Sequence, residues 1–238
     1  MAGVNDIAVL IPAYQPDTKL VGLVDALRVD FPHVVVVDDG STGCDDVFGA
    51  IRNRVEALLV HPANRGKGAA LKTGFAWIRE RLPNVAGVVT ADADGQHTPE
   101  DIRRVAEATA ARNGGIVLGV RTFTGSVPLR SRFGNWWASL FFRLRTGLAI
   151  RDTQTGLRGI PSDMLGRMIA LRGDRYEYEM RMLVDARRHA LPPLQIPIKT
   201  VYMENNRSSH FTRSAILSAR RWRFGAAARR VRRTPFDG

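Results

Sequence analysis

The chain has 238 residues, an apolar share of 45% and a formal net charge of +12, enough for one large domain or two small ones with a sizeable core. Its single cysteine, Cys44, excludes an intrachain disulfide and a cysteine-built zinc site and fits a reducing cytosol. The N-terminal "MAGVNDIAVLIPAY" lacks the charge and apolar run of a secretory signal, and no stretch approaches the roughly 18 apolar residues of a spanning helix; a soluble or peripheral protein is expected.

Along the chain, short β-branched apolar runs at 7–11, 33–39, 55–60, 85–94 and 115–120 read as buried strands. Helical candidates lie between them at 17–30, 44–54, 66–81 and 99–112, each near a capping residue: Asp17, Thr42, Asn64, and Thr98 followed by Pro99. This alternation predicts an α/β fold, a mostly parallel central sheet with helices on both faces, whose ligands bind at the carboxyl ends of the strands. Polar residues gather there: Pro12-Ala13-Tyr14, Asp38-Asp39-Gly40-Ser41, and "ADADGQH" at 91–97. Beyond residue 121 the alternation stops. An aromatic, arginine-flanked helix is expected at 135–148, a polar loop at 151–160, a helix at 175–190 and a strand at 194–203.

In extended backbone Asp92 and Asp94, two apart, share a side. The pair reads as a turn, as a phosphatase nucleophile of the "DxDG[TS]" kind, or as a hard-cation clamp. Gln96 stands where the phosphatase motif wants Thr or Ser, and a turn leaves the same-side spacing and the second acidic loop unexplained. A Mg²⁺ or Mn²⁺ site, with substrate phosphates completing the shell, is favoured. Asp39, at a strand end, is placed to accept from a nucleobase N–H or a ribose hydroxyl. Glycines around Lys67 allow close backbone approach and put a positive helix end near an anion.

Taken together, "IPAY" (11–14), "VVDDGST" (36–42), "NRGKGAALKTGF" (64–75), "ADADGQH" (91–97), "RDTQTGLRGI" (151–160) and "YEYEM" (176–180) resemble family 2 glycosyltransferases of the GT-A fold. The branch most similar is that of dolichol-phosphate mannose synthase and the bacterial polyprenyl-phosphate glycosyltransferases. The resemblance implies inverting transfer from a nucleotide sugar (GDP-mannose or a UDP-hexose), with Asp92, Asp94 and Gln96 binding the metal and the donor diphosphate. Asp39 would contact the base, with Pro12 and Tyr14 lining its pocket, and Lys67 and Gln154 join the substrate-side candidates. The family usually reads "PxYNE"; here Gln15-Pro16 follow Tyr14.

A phosphate monoester acceptor, with a second pKa near ~6, attacks without a catalytic base but needs cations around it. Arg121, Arg130 and Arg132, after the fifth strand, are the candidates, with Arg158 and Arg207 behind them. Glu177 and Glu179 read as a base, as arginine partners or as a solvated face, the partner role being favoured.

Nine arginines between Arg207 and Arg233 face one acid, Asp237, so this tail contributes +8 and the rest of the chain +4. Leu217, Phe224 and Val231, seven apart, share a helix face with Ile216, Ala227 and Ala228. A basic amphipathic C-terminal helix of this kind suits an anionic membrane surface, as does the 135–148 helix if its aromatic face is not packed on the protein's own sheet. The expected organisation is a catalytic domain at 1–206 and a basic, membrane-facing tail at 207–238. The expected activity is sugar transfer to a polyprenyl phosphate at the cytoplasmic face of the membrane, with a membrane-protein partner an alternative dock for the tail. A related transferase with a soluble or glycan acceptor is the first alternative. A nucleic-acid-binding protein is the second, and it leaves the acidic loop unexplained.

Overall fold

The computed structural model describes residues 3–112, 114–121, 150 and 152–199. The expected helix at 135–148, Arg130, Arg132, Arg207 and the basic tail lie outside these residues. In chain order the elements are β1 (Ile7–Ala13), α1 (Lys19–Leu27), β2 (His33–Asp38), α2 (Asp45–Ile51), β3 (Ala57–Val60), α3 (Lys67–Arg81), β4 (Gly87–Thr90), α4 (Pro99–Ala110), β5 (Val117–Arg121), β6 (Arg158–Pro161), α5 (Leu165–Ala170), α6 (Glu177–Arg188) and β7 (Leu194–Ile198).

Among the described residues seven strands make one sheet in the order β3-β2-β1-β4-β6-β5-β7. The β1–β2, β1–β4, β2–β3 and β5–β7 pairs are parallel, and β6 runs antiparallel to both of its neighbours. Most of the apolar runs read as strands because they are covered on both faces; β3, at the sheet edge, was expected to be buried and is only half-buried, with Val60 60% exposed. Ala8 and Leu10 of β1, Val35 and Val37 of β2 and Val88 of β4 join a core with Leu71, Phe75 and Ile78 of α3 and Met182 and Leu183 of α6. The alternate residues Ile7, Val9 and Ile11, Val34 and Val36, and Val89 join a second core with Leu20, Val24 and Leu27 of α1, Phe48 and Ile51 of α2 and Ile102 and Val105 of α4. The two-residue period of a strand sends neighbours to opposite faces, so a strand covered twice carries no polar alternation.

Of the four expected caps, two accept from a backbone N–H of the first turn: Asp17, whose Oδ1 takes Lys19 N at 2.9 Å, and Thr98. The Thr98 hydroxyl accepts from Asp101 N at 3.2 Å with Pro99 in the first turn, a cap worth about 1 kcal/mol. The loop expected at 151–160 ends instead in β6, which is inserted between β4 and β5. Gly159 is required there, because a Cβ would run into the Thr109 hydroxyl of α4.

The sheet also ends sooner than expected beneath the acidic loop. β4 stops at Thr90, whose hydroxyl donates to Gly156 O at 2.7 Å, and Gly95 takes a positive φ of 74°. Asp92 and Asp94 therefore sit in a loop and turn beyond the strand, and the same-side argument from extended backbone does not hold for them.

Candidate active site

The loops after β1, β2, β3 and β4, the end of β5 at Arg121 and the segment leading into the antiparallel β6 all lie on one edge of the sheet. Two of them are laced by Gln15, which adopts φ 51°. Its N–H donates to Ser41 Oγ at 2.9 Å and its side-chain amide to Thr42 Oγ1 at 3.1 Å, while its Oε1 accepts from Cys44 Sγ at 3.5 Å. The residue that departs from the family pattern thus joins the β1 and β2 loops. Beside it Tyr14 is 55% exposed and Pro12 is half-buried within β1.

Asp39 lies just past β2 and is buried. Its Oδ1 accepts from His61 Nδ1 at 2.7 Å and from Arg65 N at 3.0 Å, and its Oδ2 accepts from Gly66 N at 2.7 Å. The positive end of α3 does meet an anion, but the anion is this internal carboxylate. Gly66, at φ 102°, packs where a Cβ would collide with Asp174 O, and Ala69 N donates to that same carbonyl at 2.9 Å. The glycines expected to admit a ligand are used to seat α3 on the turn before α6.

Lys67, the first residue of α3, places its ammonium 2.7 Å from Asp92 Oδ1 and 3.0 Å from Glu179 Oε2. Burial opposes the charge, yet the two carboxylates outweigh it and hold the Lys67 pKa above its usual value. Burial likewise pushes Asp92 up, but Lys67 and His97 overcome it and hold the carboxyl far below the usual carboxylate range. Asp92 rests against Gly156, where any Cβ would overlap its carboxylate. The sequence favoured an arginine partner for the two glutamates; Glu179 pairs with Lys67 and lies 3.7 Å from Arg158 Nε, whereas Glu177 accepts from Asp174 N at 3.2 Å and braces the turn before α6.

Asp94 is exposed, and its Oδ1 accepts from Gln96 N at 3.0 Å. Its carboxyl still loses part of its hydration to the surrounding loop, and that desolvation, then the charge of Asp92, raises its pKa. His97 is 6% exposed with neither ring nitrogen hydrogen-bonded, its Nε2 lying 3.6 Å from Asp92 Oδ2. Among the described residues no cluster of three or more His, Cys, Asp or Glu side chains could enclose a metal. The donors present still fit a hard cation: an exposed carboxylate, Asp94, whose repulsion from Asp92 a cation relieves, and the Gln96 amide oxygen. Such a set leaves most of the shell to phosphate and water, the habit of Mg²⁺ and its relatives.

The expected acceptor cations divide. Arg121, at the end of β5, donates through Nε to Asp152 Oδ2 at 2.6 Å and through a terminal nitrogen to Oδ1 at 3.2 Å, and Asp152 is wholly buried. Arg158 is a correction to the expected substrate role. It is 1% exposed, and its guanidinium donates to Thr155 O at 2.9 Å, Glu179 O at 2.5 Å and Thr153 O at 3.3 Å. These bonds tie the loop before β6 to the first turn of α6, which gives the guanidinium a structural task. Gln154 is exposed on the loop before β6, with its N–H on Asp152. Arg130, Arg132 and Arg207 lie outside the described residues. The sequence reading omits His61, Thr73 and Asp152; a polar residue directly after a strand at the ligand-binding edge, as His61 is, was the available signal.

The sequence matches the family described as Glycosyl transferase family 2 over residues 8–168, more than half of the chain. An undecaprenyl-phosphate mannosyltransferase of Micrococcus luteus is 30% identical over 235 residues, covering 92% of this chain and 94% of that protein. A UDP-N-acetylglucosamine–dolichyl-phosphate N-acetylglucosaminyltransferase of Methanococcus voltae is 30% identical over 222 residues, covering 83% and 86%. Among solved structures, glucosyl-3-phosphoglycerate synthase of Mycobacterium tuberculosis, in complex with Mn²⁺, UDP and glucosyl-3-phosphoglycerate, superposes with a TM-score of 0.66 at 18% identity, over 90% of this chain and 75% of that one. The superposition agrees with the GT-A-type fold expected from the motifs. By its strand order, its acidic loop after β4 and its match over most of the catalytic region, the chain belongs to glycosyl transferase family 2.

Proposed function

We propose that the protein transfers a sugar from a nucleotide donor to a polyprenyl phosphate, with inversion at the anomeric carbon. The observation that carries the reading is the Lys67–Asp92–Asp94 arrangement at the strand ends: one carboxylate pinned by a resident cation, its neighbour open for a divalent ion on the donor diphosphate. Relatives matched over more than four-fifths of both chains bear names with undecaprenyl and dolichyl phosphate acceptors, which supports the acceptor class.

In this reading Asp94 and Gln96, with Asp92, hold Mg²⁺ or Mn²⁺, which when bound stabilises charge on the departing diphosphate. Asp39 offers its remaining acceptor position to the nucleoside, with Pro12 and Tyr14 beside it. The acceptor's phosphate oxygen attacks C1 as the bond from C1 to the diphosphate oxygen breaks. No proton need leave a monoester dianion, so no general base is required. Lys67 keeps Asp92 in place throughout. Arg121, Arg130 and Arg132 steady the acceptor phosphate, Arg121 from a guanidinium already oriented by Asp152.

Among the described residues no helix is long and apolar enough to cross a membrane. The basic tail supplies peripheral attachment at the cytoplasmic face, each arginine near an anionic bilayer contributing about 1 kcal/mol. Deleting 207–238 should abolish sedimentation with anionic liposomes; undiminished sedimentation would refute the anchor.

The test is incubation with a polyprenyl phosphate, Mn²⁺ or Mg²⁺ and a panel of labelled GDP- and UDP-sugars, with Asp94→Asn as the control. Label should enter the lipid with one donor and not in the control. No lipid product with any donor would overturn the reading.

A further inference from the structure

One buried cluster is left without a task. His61, directly after β3, is 5% exposed and is held at both ring nitrogens: Nδ1 lies 2.7 Å from Asp39 Oδ1 and Nε2 lies 2.9 Å from Thr73 Oγ1. Its backbone N–H donates to Asp38 O at 2.9 Å, so the residue is fixed to the end of β2 as well. A neutral imidazole donates from one nitrogen and accepts at the other. With the carboxylate at Nδ1, that nitrogen donates to Asp39 and Nε2 bonds the Thr73 hydroxyl.

The order carboxylate, imidazole, hydroxyl is also that of a nucleophile relay. Thr73, however, sits inside α3, where the backbone N–H groups are consumed by the helix and none is left to stabilise an oxyanion. The chain of bonds is an anchor. It fastens the Asp39 carboxylate from the side of α3 while Arg65 N and Gly66 N fasten it from the loop. A carboxylate has about four acceptor positions, and these contacts fill three.

We propose that His61, braced by Thr73, is a positioning residue for donor recognition: it sets the Asp39 carboxylate so that its one remaining acceptor position meets the nucleoside of the nucleotide sugar. This rests on the reading of Asp39 as the nucleoside contact. The same Asp39 carboxylate holds the 65–66 backbone that leads into Lys67, so fixing it aligns the nucleoside and diphosphate ends of the site together.

The test uses the full chain, titrated calorimetrically with UDP and with GDP in the presence of Mn²⁺, and assayed for donor KM and kcat. His61→Gln carries its amide too far out to replace Nδ1, whereas the amide nitrogen of His61→Asn falls near the Nδ1 position. His61→Gln should weaken nucleoside diphosphate binding and raise donor KM by about tenfold, the scale of one hydrogen bond, with kcat within about threefold. His61→Asn should return both to within about threefold of the parent. Thr73→Val, which leaves the Asp39 contact in place and removes only the brace, should raise donor KM by about threefold. A folded His61→Gln with parent-like binding and KM would overturn the proposal, as would a His61→Asn no better than His61→Gln. If His61→Gln does not fold, Thr73→Val decides: a raised donor KM supports the positioning role and an unchanged one refutes it. Failure of the parent chain to bind either nucleoside diphosphate would overturn the nucleotide-sugar reading along with this one, whereas parent binding with indifferent variants overturns this one alone.

Discussion

The ammonium of Lys67 lies 2.7 Å from Asp92 and 3.0 Å from Glu179, so one cation at the start of α3 joins the acidic loop after β4 to the first turn of α6. Removing it leaves two carboxylates facing each other with no charge between them. Lys67→Met should lose about 2–4 kcal/mol of stability at neutral pH, below the full cost of a deeply buried pair because the Asp92 side chain is 30% exposed. The pH dependence has a fixed sign. In the parent, the depressed Asp92 pKa keeps the pair's contribution intact above the usual carboxylate range and loses it only as pH falls through the lower folded value. The variant's Asp92 protonates more readily, so the gap between the two should narrow from pH 7 toward about 4. Urea unfolding at several pH values measures this; a gap that widens on acidification contradicts the assignment.

Gly156 is the wall behind Asp92. Gly156→Ala should fold, because the residue lies in a loop before β6, but its methyl group must displace the Asp92 carboxylate. A displacement of about 1 Å at a reacting centre costs on the order of a hundredfold in rate. We expect kcat/KM to fall by about that factor with the thermal midpoint within a few degrees of the parent. Parent-like activity would remove Asp92 from the diphosphate site.

Arg158 separates structure from substrate binding. Its donors satisfy three carbonyls at 1% exposure, and lysine cannot reproduce that fork. Arg158→Lys should cost about 2–4 kcal/mol in unfolding free energy, while the folded fraction keeps an acceptor KM within about threefold of the parent. A large rise in acceptor KM with unchanged stability would restore the substrate role expected from the motif.

These contrasts show what the residue string carries. The strands β1, β2, β4 and β5 were legible because double-sided burial makes them continuous apolar runs, and α3 and α4 because their cores and the Thr98 cap mark them. β6 was not legible: its four residues include an arginine, a glycine and a proline, and Arg158 looks like a surface cation until its carbonyl partners are seen. The acidic loop was found for a reason that fails in detail, since β4 ends at Thr90 and a turn disposes Asp92 and Asp94. Partnerships between distant residues, Lys67 with Glu179, Arg121 with Asp152 and Asp39 with His61, leave no local pattern in the sequence and appear only when the loops meet at the sheet edge.

Direct competition between two phosphate acceptors decides the acceptor class. With the active donor and Mn²⁺, a short-chain polyprenyl phosphate and 3-phosphoglycerate are offered together at equal concentration, and label is counted in the organic and aqueous phases. The polyprenyl phosphate reading requires the label to partition almost wholly into the organic phase. Label that stays in the aqueous phase on phosphoglycerate would contradict it.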